Sequence, residues 1–359
     1  MHVVLSGYYG FDNVGDEAIL LSIIQSLRKI QPDIDITVLS NNPNHTQNAY
    51  QVKAVNRWRL NEVRRIISQS DGLISGGGSL LQDETGMKTI PYYTGIIKIA
   101  KWYKKPVFIY AQGMGPFNKP LSRWMVRTTL NKVHGITVRD EDSKALLTTI
   151  GVKKVIQVVP DPVIGLDNHS FTSSWLNGQE LSSDFITVSV RDWSSSVPYL
   201  EKIAQSLDQL AQKGYAIVFI PMHGKIDEKV SRKTASYMHA KSFIAPGEAS
   251  IEEKIAVISE SNLLIGMRLH SLIFSAISYT PFVALSYDPK IDAFANICSL
   301  PVAGHVEKED WSGDSLTISA MELLATEYAQ LDSLKRLVTA LRQGAQDTAA
   351  LAIKTLNAK

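Results

Sequence analysis

The sequence holds a single cysteine, Cys298, in 359 residues. A lone cysteine closes no internal disulfide, and such scarcity fits a reducing compartment. With neither cysteine pairs nor a His-Glu-x-x-His pattern, a zinc site has no ligand set to draw on, and no metal is expected. No apolar run approaches the ~20 residues that a bilayer-spanning helix needs. Met1 to Gly7 reads directly as a strand, without the charged start and apolar core of a secretory leader, so a cytoplasmic protein is expected. A surplus of one charge is missing too. The 37 Lys and Arg face 35 Asp and Glu, leaving a net charge of +2, too little for a general nucleic-acid binder. The glycine loops match neither GxGxxG nor a P-loop with its lysine.

What is present is an ordinary globular composition, 45% hydrophobic and 20% charged, at a length that suggests roughly two domains. Apolar strands and amphipathic helices alternate in two series. Residues 1–165 carry strands near 3–6, 34–39, 71–75, 106–111, 135–138 and 155–159, with helices near 18–30, 59–70, 92–103 and 121–132 between them. Residues 166–183 read as a linker. Residues 184–314 repeat the alternation, and 315–359 read as C-terminal helices interrupted at Gly344. The pattern predicts an α/β fold of two Rossmann-like lobes facing each other across a cleft lined by strand carboxyl ends.

The candidate residues collect at those ends. In Leu263 to Ser271 (LLIGMRLHS) a strand breaks at Gly266 and an apolar helix follows, so Arg268, His270 and Ser271 fall in the turn. A helix start favours an anion, and a guanidinium offers a planar fork to carboxylate or phosphate. Equally, Arg268 pairs a structural carboxylate and His270 caps the helix; both readings stay open. Asp16 either caps a helix or aims a carboxylate into the cleft. Gly76, Gly77, Gly78 and Ser79 follow a strand, where missing side chains let a backbone approach a ligand. Gln112 and Gly113 end another strand, Arg139 precedes a helix start, and His223 lies in a loop. Asp288 is a good N-cap and Pro289 a good first helical residue, which sets Lys290 against the helix dipole. Several cations at helix starts suggest a multiply charged anion.

Six segments together resemble the polysaccharide pyruvyl transferase family: GYYGFDNVGDEAIL (7–20), SGGGSLLQDETG (75–86), AQGMGP (111–116), TVRDEDS (137–143), MRLHS (267–271) and SYDPK (286–290). Within it they resemble the CsaB-type cell-wall enzymes. The resemblance implies a GT-B-like fold and transfer of pyruvate from phosphoenolpyruvate to a sugar, forming a 4,6-ketal and releasing phosphate, with no cofactor beyond the donor. For the CsaB type it implies an N-acetylmannosamine residue of a lipid-linked precursor, a polymer that anchors S-layer proteins, and peripheral contact with the inner face of the membrane. Homo-oligomerisation stays open. In this reading Arg139 and Arg268 grip the donor, His270 is the general acid, and Lys290 is a phosphate contact or alternate acid. Asp16 contacts or deprotonates an acceptor hydroxyl, while Asn13, Gly77, Gly78, Ser79, Gln112, Gly113, His223 and Ser271 line the substrates. The rivals are a nucleotide-sugar glycosyltransferase of like architecture and a non-catalytic two-lobed anion-binding protein.

Overall fold

The computed structural model describes every residue except Thr85, Met87, Ser182, Ser183, Thr326 and Lys359, and no side chain at 326–331. Thr85 of the glycine segment and the last two residues of the expected linker thus lie outside the described residues. Two compact units emerge, Met1–Leu166 with Leu341–Lys359, and Asp167–Ala340.

The first unit runs β1 (His2–Tyr9), α1 (Val14–Ile30), β2 (Asp35–Ser40), α2 (Pro43–Tyr50), β3 (Lys53–Asn56), α3 (Leu60–Gln69), β4 (Gly72–Ser75), β5 (Gly78–Leu81), α4 (Thr89–Trp102), β6 (Val107–Met114), α5 (Pro120–Leu130), β7 (Gly135–Val138), α6 (Glu141–Thr149) and β8 (Ile156–Val158). The sheet is parallel, in the order β3-β2-β1-β4-β6-β7-β8, with β5 paired to β6. Its central strands are near-continuous apolar runs, as burial on both faces demands. Val63 and Ile67 of α3, Ile96 and Ile97 of α4, Val126 of α5 and Leu147 of α6 join one core against it.

The second unit runs α7 (Ser174–Asn177), β9 (Phe185–Ser189), α8 (Tyr199–Gln212), β10 (Ala216–Phe219), α9 (Gly224–Ala235), β11 (Ser242–Ile244), α10 (Ile251–Ser259), β12 (Leu263–Gly266), α11 (Leu269–Ile277), β13 (Phe282–Ser286), α12 (Pro289–Cys298), β14 (Val302–His305) and α13 (Gly313–Ala325). Its sheet, also parallel, has the order β11-β10-β9-β12-β13-β14. The last helix, α14 (Glu327–Asn357), is shared by the two units.

Several details depart from the sequence reading. Residues 315–359 form no unit of their own, because Leu341–Lys359 belongs with the first unit. Nor does Gly344 break α14. A Cβ there would come within 3.1 Å of Pro160, so the glycine admits close packing inside an unbroken helix. Short α2 and β3, and the short edge strand β14, escaped notice because they carry little periodicity. Helix α1 begins at Val14, not Ala18: Asn13 caps it, its side chain accepting from Gly15 N at 3.2 Å, so Asp16 is not the cap.

The glycines after β4 have packing duties. A Cβ on Gly76 would strike the Tyr9 hydroxyl, one on Gly77 would meet Ile19 at 2.9 Å, and one on Gly78 the Asp16 carboxylate at 2.6 Å. Gly78 also has φ +85°, a region that favours glycine. Tyr9 is wholly buried and its hydroxyl has no hydrogen-bond partner, so burial drives its pKa well up, with Asp16 adding to the shift. Gly76→Ala should therefore destabilise the protein by about 1–3 kcal/mol through overpacking. Tyr9→Phe removes the obstructing hydroxyl, so the double variant should recover most of that loss in urea unfolding. Strictly additive effects would show that the clash is not the cause.

Candidate functional site

In each sheet the strand order reverses once, between β1 and β4 in the first and between β9 and β12 in the second. The carboxyl ends beside such a reversal are where open α/β sheets bind ligands.

In the second unit, Met267 N–H donates to Ser189 O at 2.8 Å and the chain then enters α11, with Arg268 at the N-cap. Gly266 is needed here, since a Cβ would meet Leu272 at 2.6 Å and Ser271 Oγ at 2.9 Å. Arg268 Nε and Nη2 donate to the two carboxylate oxygens of Asp227, at 2.9 and 2.5 Å. Asp227 is wholly buried in the first turn of α9 and also accepts from Met222 N at 3.3 Å. The structural pairing of Arg268 is thus real. It uses one edge of the guanidinium and fixes the plane of the whole group. Behind it, Lys254 is buried, its Nζ donating to Gly247 O at 2.9 Å. Burial pulls that ammonium down to about 8, against the opposing pull of Asp227, Glu253 and Glu228.

His270 is the second residue of α11 and half-buried; the cap position is Arg268's. Ser271 is wholly buried and donates to Arg268 O at 2.6 Å, so its hydroxyl is used within the turn and does not face a substrate. On the neighbouring strand end, Asp288 caps α12 as read from the sequence, accepting from Lys290 N at 3.1 Å and holding Lys290 Nζ at 2.8 Å. His223 stands at the N-cap of α9, and its carbonyl accepts from Asp227 N at 3.3 Å, so the turn that carries Asp227 hangs from it.

Sequence reasoning missed Arg191, which follows β9 at the reversal. Its guanidinium lies 4.4 Å from the Tyr287 ring centroid and 5.1 Å from that of Trp193, and Nη1 donates to the Tyr287 hydroxyl at 2.6 Å. Among the described residues no carboxylate lies in ion-pair range of it. Arg191 is the cation of this cluster that arrives without a counter-ion, and a cation at the end of a central strand was the available signal. Asp227 was hidden because an acid in a first helical turn has an ordinary explanation.

In the first unit, Glu17 shapes the loop after β1. Its buried carboxylate accepts from Gly10 N at 2.6 Å and the Tyr50 hydroxyl at 2.7 Å, and burial raises its pKa despite both bonds. Asp16, half-buried, sits one residue before it, beside Gly78. Gln112 and Gly113 lie inside β6, not in a loop past its end. Gln112 is wholly buried, its amide donating to Ser75 Oγ at 2.8 Å, and so ties β6 to β4. Arg139 Nη2 donates to exposed Ser79 at 3.1 Å, and its guanidinium lies 3.6 Å from both Asp140 and Asp161. A Cβ on Gly113 would touch that guanidinium at 2.9 Å. Ser79, Gly113 and Arg139 are therefore one cluster, joined by Asp161, which the sequence does not mark as a candidate. Arg57, also missed, is buried among Phe11, Trp58, Tyr92 and Tyr93, 4.3–5.4 Å from their ring centroids, and donates to Gly7 O at 2.9 Å. Among the described residues no group of three or more His, Cys, Asp or Glu is placed to hold a metal ion.

Two parallel α/β sheets with candidate groups at their carboxyl ends place the chain in a two-unit α/β fold class. The fold is similar to a putative UDP-N-acetylglucosamine 2-epimerase from Listeria monocytogenes (TM-score 0.69, 13% identity, 98% of this chain and 94% of that one). It is also similar to the ADP-heptose heptosyltransferase II of E. coli (TM-score 0.55, 15% identity, 92% and 100%). Both are GT-B-type architectures, and this chain has that fold. Its residues 13–289 match the polysaccharide pyruvyl transferase model, and the chain belongs to that family of transferases. The amylovoran biosynthesis protein AmsJ of Erwinia amylovora is 24% identical over 81% of this chain and 84% of its own length.

Removing one member of a buried ion pair leaves the other uncompensated, at a cost of about 3–5 kcal/mol. Asp227→Asn should approach that loss in chemical unfolding, whereas Asp288→Asn, whose pair with Lys290 is largely solvated, should cost under ~1 kcal/mol. Equal losses would mean that Asp227 does not anchor the turn.

Proposed function

We propose that this chain transfers pyruvate from phosphoenolpyruvate to an N-acetylmannosamine residue of a lipid-linked cell-wall polysaccharide precursor, releasing phosphate and leaving a 4,6-ketal. The observation that carries the reading is the Arg268–Asp227 pair at the head of α11, beside His270 and at the strand-order reversal. Family membership supports the pyruvyl transfer, and a relative named for amylovoran biosynthesis supports a glycan acceptor. The six segments that resemble the CsaB type are the support for N-acetylmannosamine.

In this mechanism the donor's carboxylate and phosphate are met by Arg268 and Arg191, and Lys290 contacts the phosphate. Arg191 fits the task because no described carboxylate competes for it. His270 delivers a proton to the methylene carbon of the donor, giving an oxocarbenium-like centre at C2. One sugar hydroxyl attacks C2, the C2–O bond to phosphate breaks, and the second hydroxyl closes the ring. The two hydroxyl protons balance the sum: one restores the acid, the other leaves with phosphate. Lys290 is the alternate acid. In the first unit Arg139 is a further anion contact, and Asp16 contacts or deprotonates an acceptor hydroxyl. A lipid-linked acceptor brings the enzyme to the inner face of the membrane.

The test is phosphate release from phosphoenolpyruvate, with and without an N-acetylmannosamine-terminated lipid-disaccharide analogue. Acceptor-dependent release is expected, falling by at least ~100-fold in His270→Ala, in line with loss of a general acid, and also lost in Arg268→Ala. Release that ignores the acceptor, or full activity in both variants, refutes the assignment. Turnover of a nucleotide sugar without phosphoenolpyruvate would instead make the chain a glycosyltransferase.

A further inference from the structure

The whole chain carries a net charge of only +2, yet one helical layer of the first unit is strongly basic. Residues 59–69, 98–105 and 119–132 cover α3, the end of α4 and α5. They hold eleven Lys and Arg, namely three, four and four in turn, and a single acid, Glu62. The rest of the molecule is therefore net acidic, and the basic residues are concentrated here. These helices pack as neighbours on one face of the sheet through Val63, Ile97 and Val126. Their outer sides are available to solvent.

That outer side is also unusually apolar for an exposed layer. Trp102 is 68% exposed, Leu121 66%, Leu60 54% and Trp124 52%. Leu121 and Trp124, three residues apart on α5, share one side of the helix. Trp102 stacks on Tyr103 at 5.7 Å and lies under Arg64 at 4.9 Å, which links α3 to the end of α4. At the edge of the layer, burial and then Lys154 hold the Lys101 ammonium below its usual range, and burial, Lys101 and Lys154 do the same to His134.

Large amphipathic rings beside eleven cations, with Glu62 in the helices and Asp83 at the start of α5 as the acids that meet them, match the chemistry of an anionic lipid surface. There the rings sit at headgroup depth and each cation adds attraction. We infer that the α3–α4–α5 layer is a docking face for an anionic membrane, with Trp102, Trp124 and Leu121 entering the headgroup region and Lys104, Lys105, Arg123 and Arg127 pairing with lipid phosphate. The inference goes beyond the proposed chemistry and does not need it, because the docking face contains none of the residues assigned to that reaction.

The experiment is flotation of the full chain with vesicles of phosphatidylcholine alone or of equal parts phosphatidylcholine and phosphatidylglycerol, without donor or acceptor. Binding to the anionic vesicles and not to the neutral ones is expected. Lys104→Glu with Lys105→Glu, and separately Arg123→Glu with Arg127→Glu, should each weaken it by at least about tenfold. Trp102→Ser with Trp124→Ser should weaken it as well, and in the wild type tryptophan emission should shift to the blue on binding. All three variants should keep a cooperative thermal transition and wild-type activity on a soluble acceptor; the Arg123–Arg127 pair should lower the midpoint modestly, because Arg123 Nε also donates to Phe117 O at 2.8 Å. No binding to anionic vesicles, or binding untouched by every variant, overturns the inference. So does tighter binding to RNA than to vesicles that survives removal of both tryptophans, which would make the face a polyanion site.

Discussion

A guanidinium gripped along one edge by a fully buried carboxylate is the constraint on which the second unit's site depends. Asp227 rises from α9 and Arg268 heads α11, so their two hydrogen bonds tie helices that follow β10 and β12, strands separated in the sheet by β9. A charged pair in the interior persists only with good geometry and further hydrogen bonds. Both conditions hold for the carboxylate, since Asp227 is gripped at both oxygens and also accepts from Met222 N, while the Ser271 hydroxyl braces the backbone that carries Arg268. The turn is thereby set before any ligand arrives. An anion meeting it encounters a fixed plane and not a searching side chain, which lowers the entropy cost of binding.

The first unit is organised differently, around things that had to be left out. Tyr9 fills the space that side chains on Gly7 and Gly76 would occupy, and Arg139 lies against the bare face of Gly113. Charges there are matched locally: Arg139 has Asp140 and Asp161, and the loop after β1 is drawn onto Glu17. Arg57, by contrast, is held by aromatic faces and by carbonyl and hydroxyl oxygens. The basic layer on α3, α4 and α5 is the exception to this economy, since its cations far outnumber the acids within reach.

Much of this was legible in the sequence, for identifiable reasons. Strands buried on both faces, such as residues 3–6 and 106–111, announce themselves as apolar runs, and Asp288-Pro289 states a helix start through cap chemistry that needs no tertiary context. Arg268, His270 and Lys290 stand out as candidates because they follow such strands. What was lost is what depends on the partner. Nothing near Arg268 in sequence indicates Asp227, 41 residues away, and a glycine that admits a ligand looks the same as one that admits Tyr9 or Ile19. Gln112 looks substrate-facing only if its strand ends at Ala111; pairing with β5 carries β6 on to Met114 and puts that side chain in the interior. Arg191 follows a central strand as Arg268 does, but no glycine turn or helix start marks it, and its aromatic partners leave no charge pattern along the chain.

Cys298 closes α12, the helix whose first turn carries Lys290, and it is buried, with burial raising the thiol to about 12. Thiolate, not thiol, reacts with alkylating reagents, so a thiol buried and held protonated in this way should react slowly while α12 stays closed. As the sole thiol in the chain it is a built-in clock. Its rate of alkylation counts the openings of α12, and a ligand that binds at the head of that helix and stabilises it slows the clock in proportion to its occupancy.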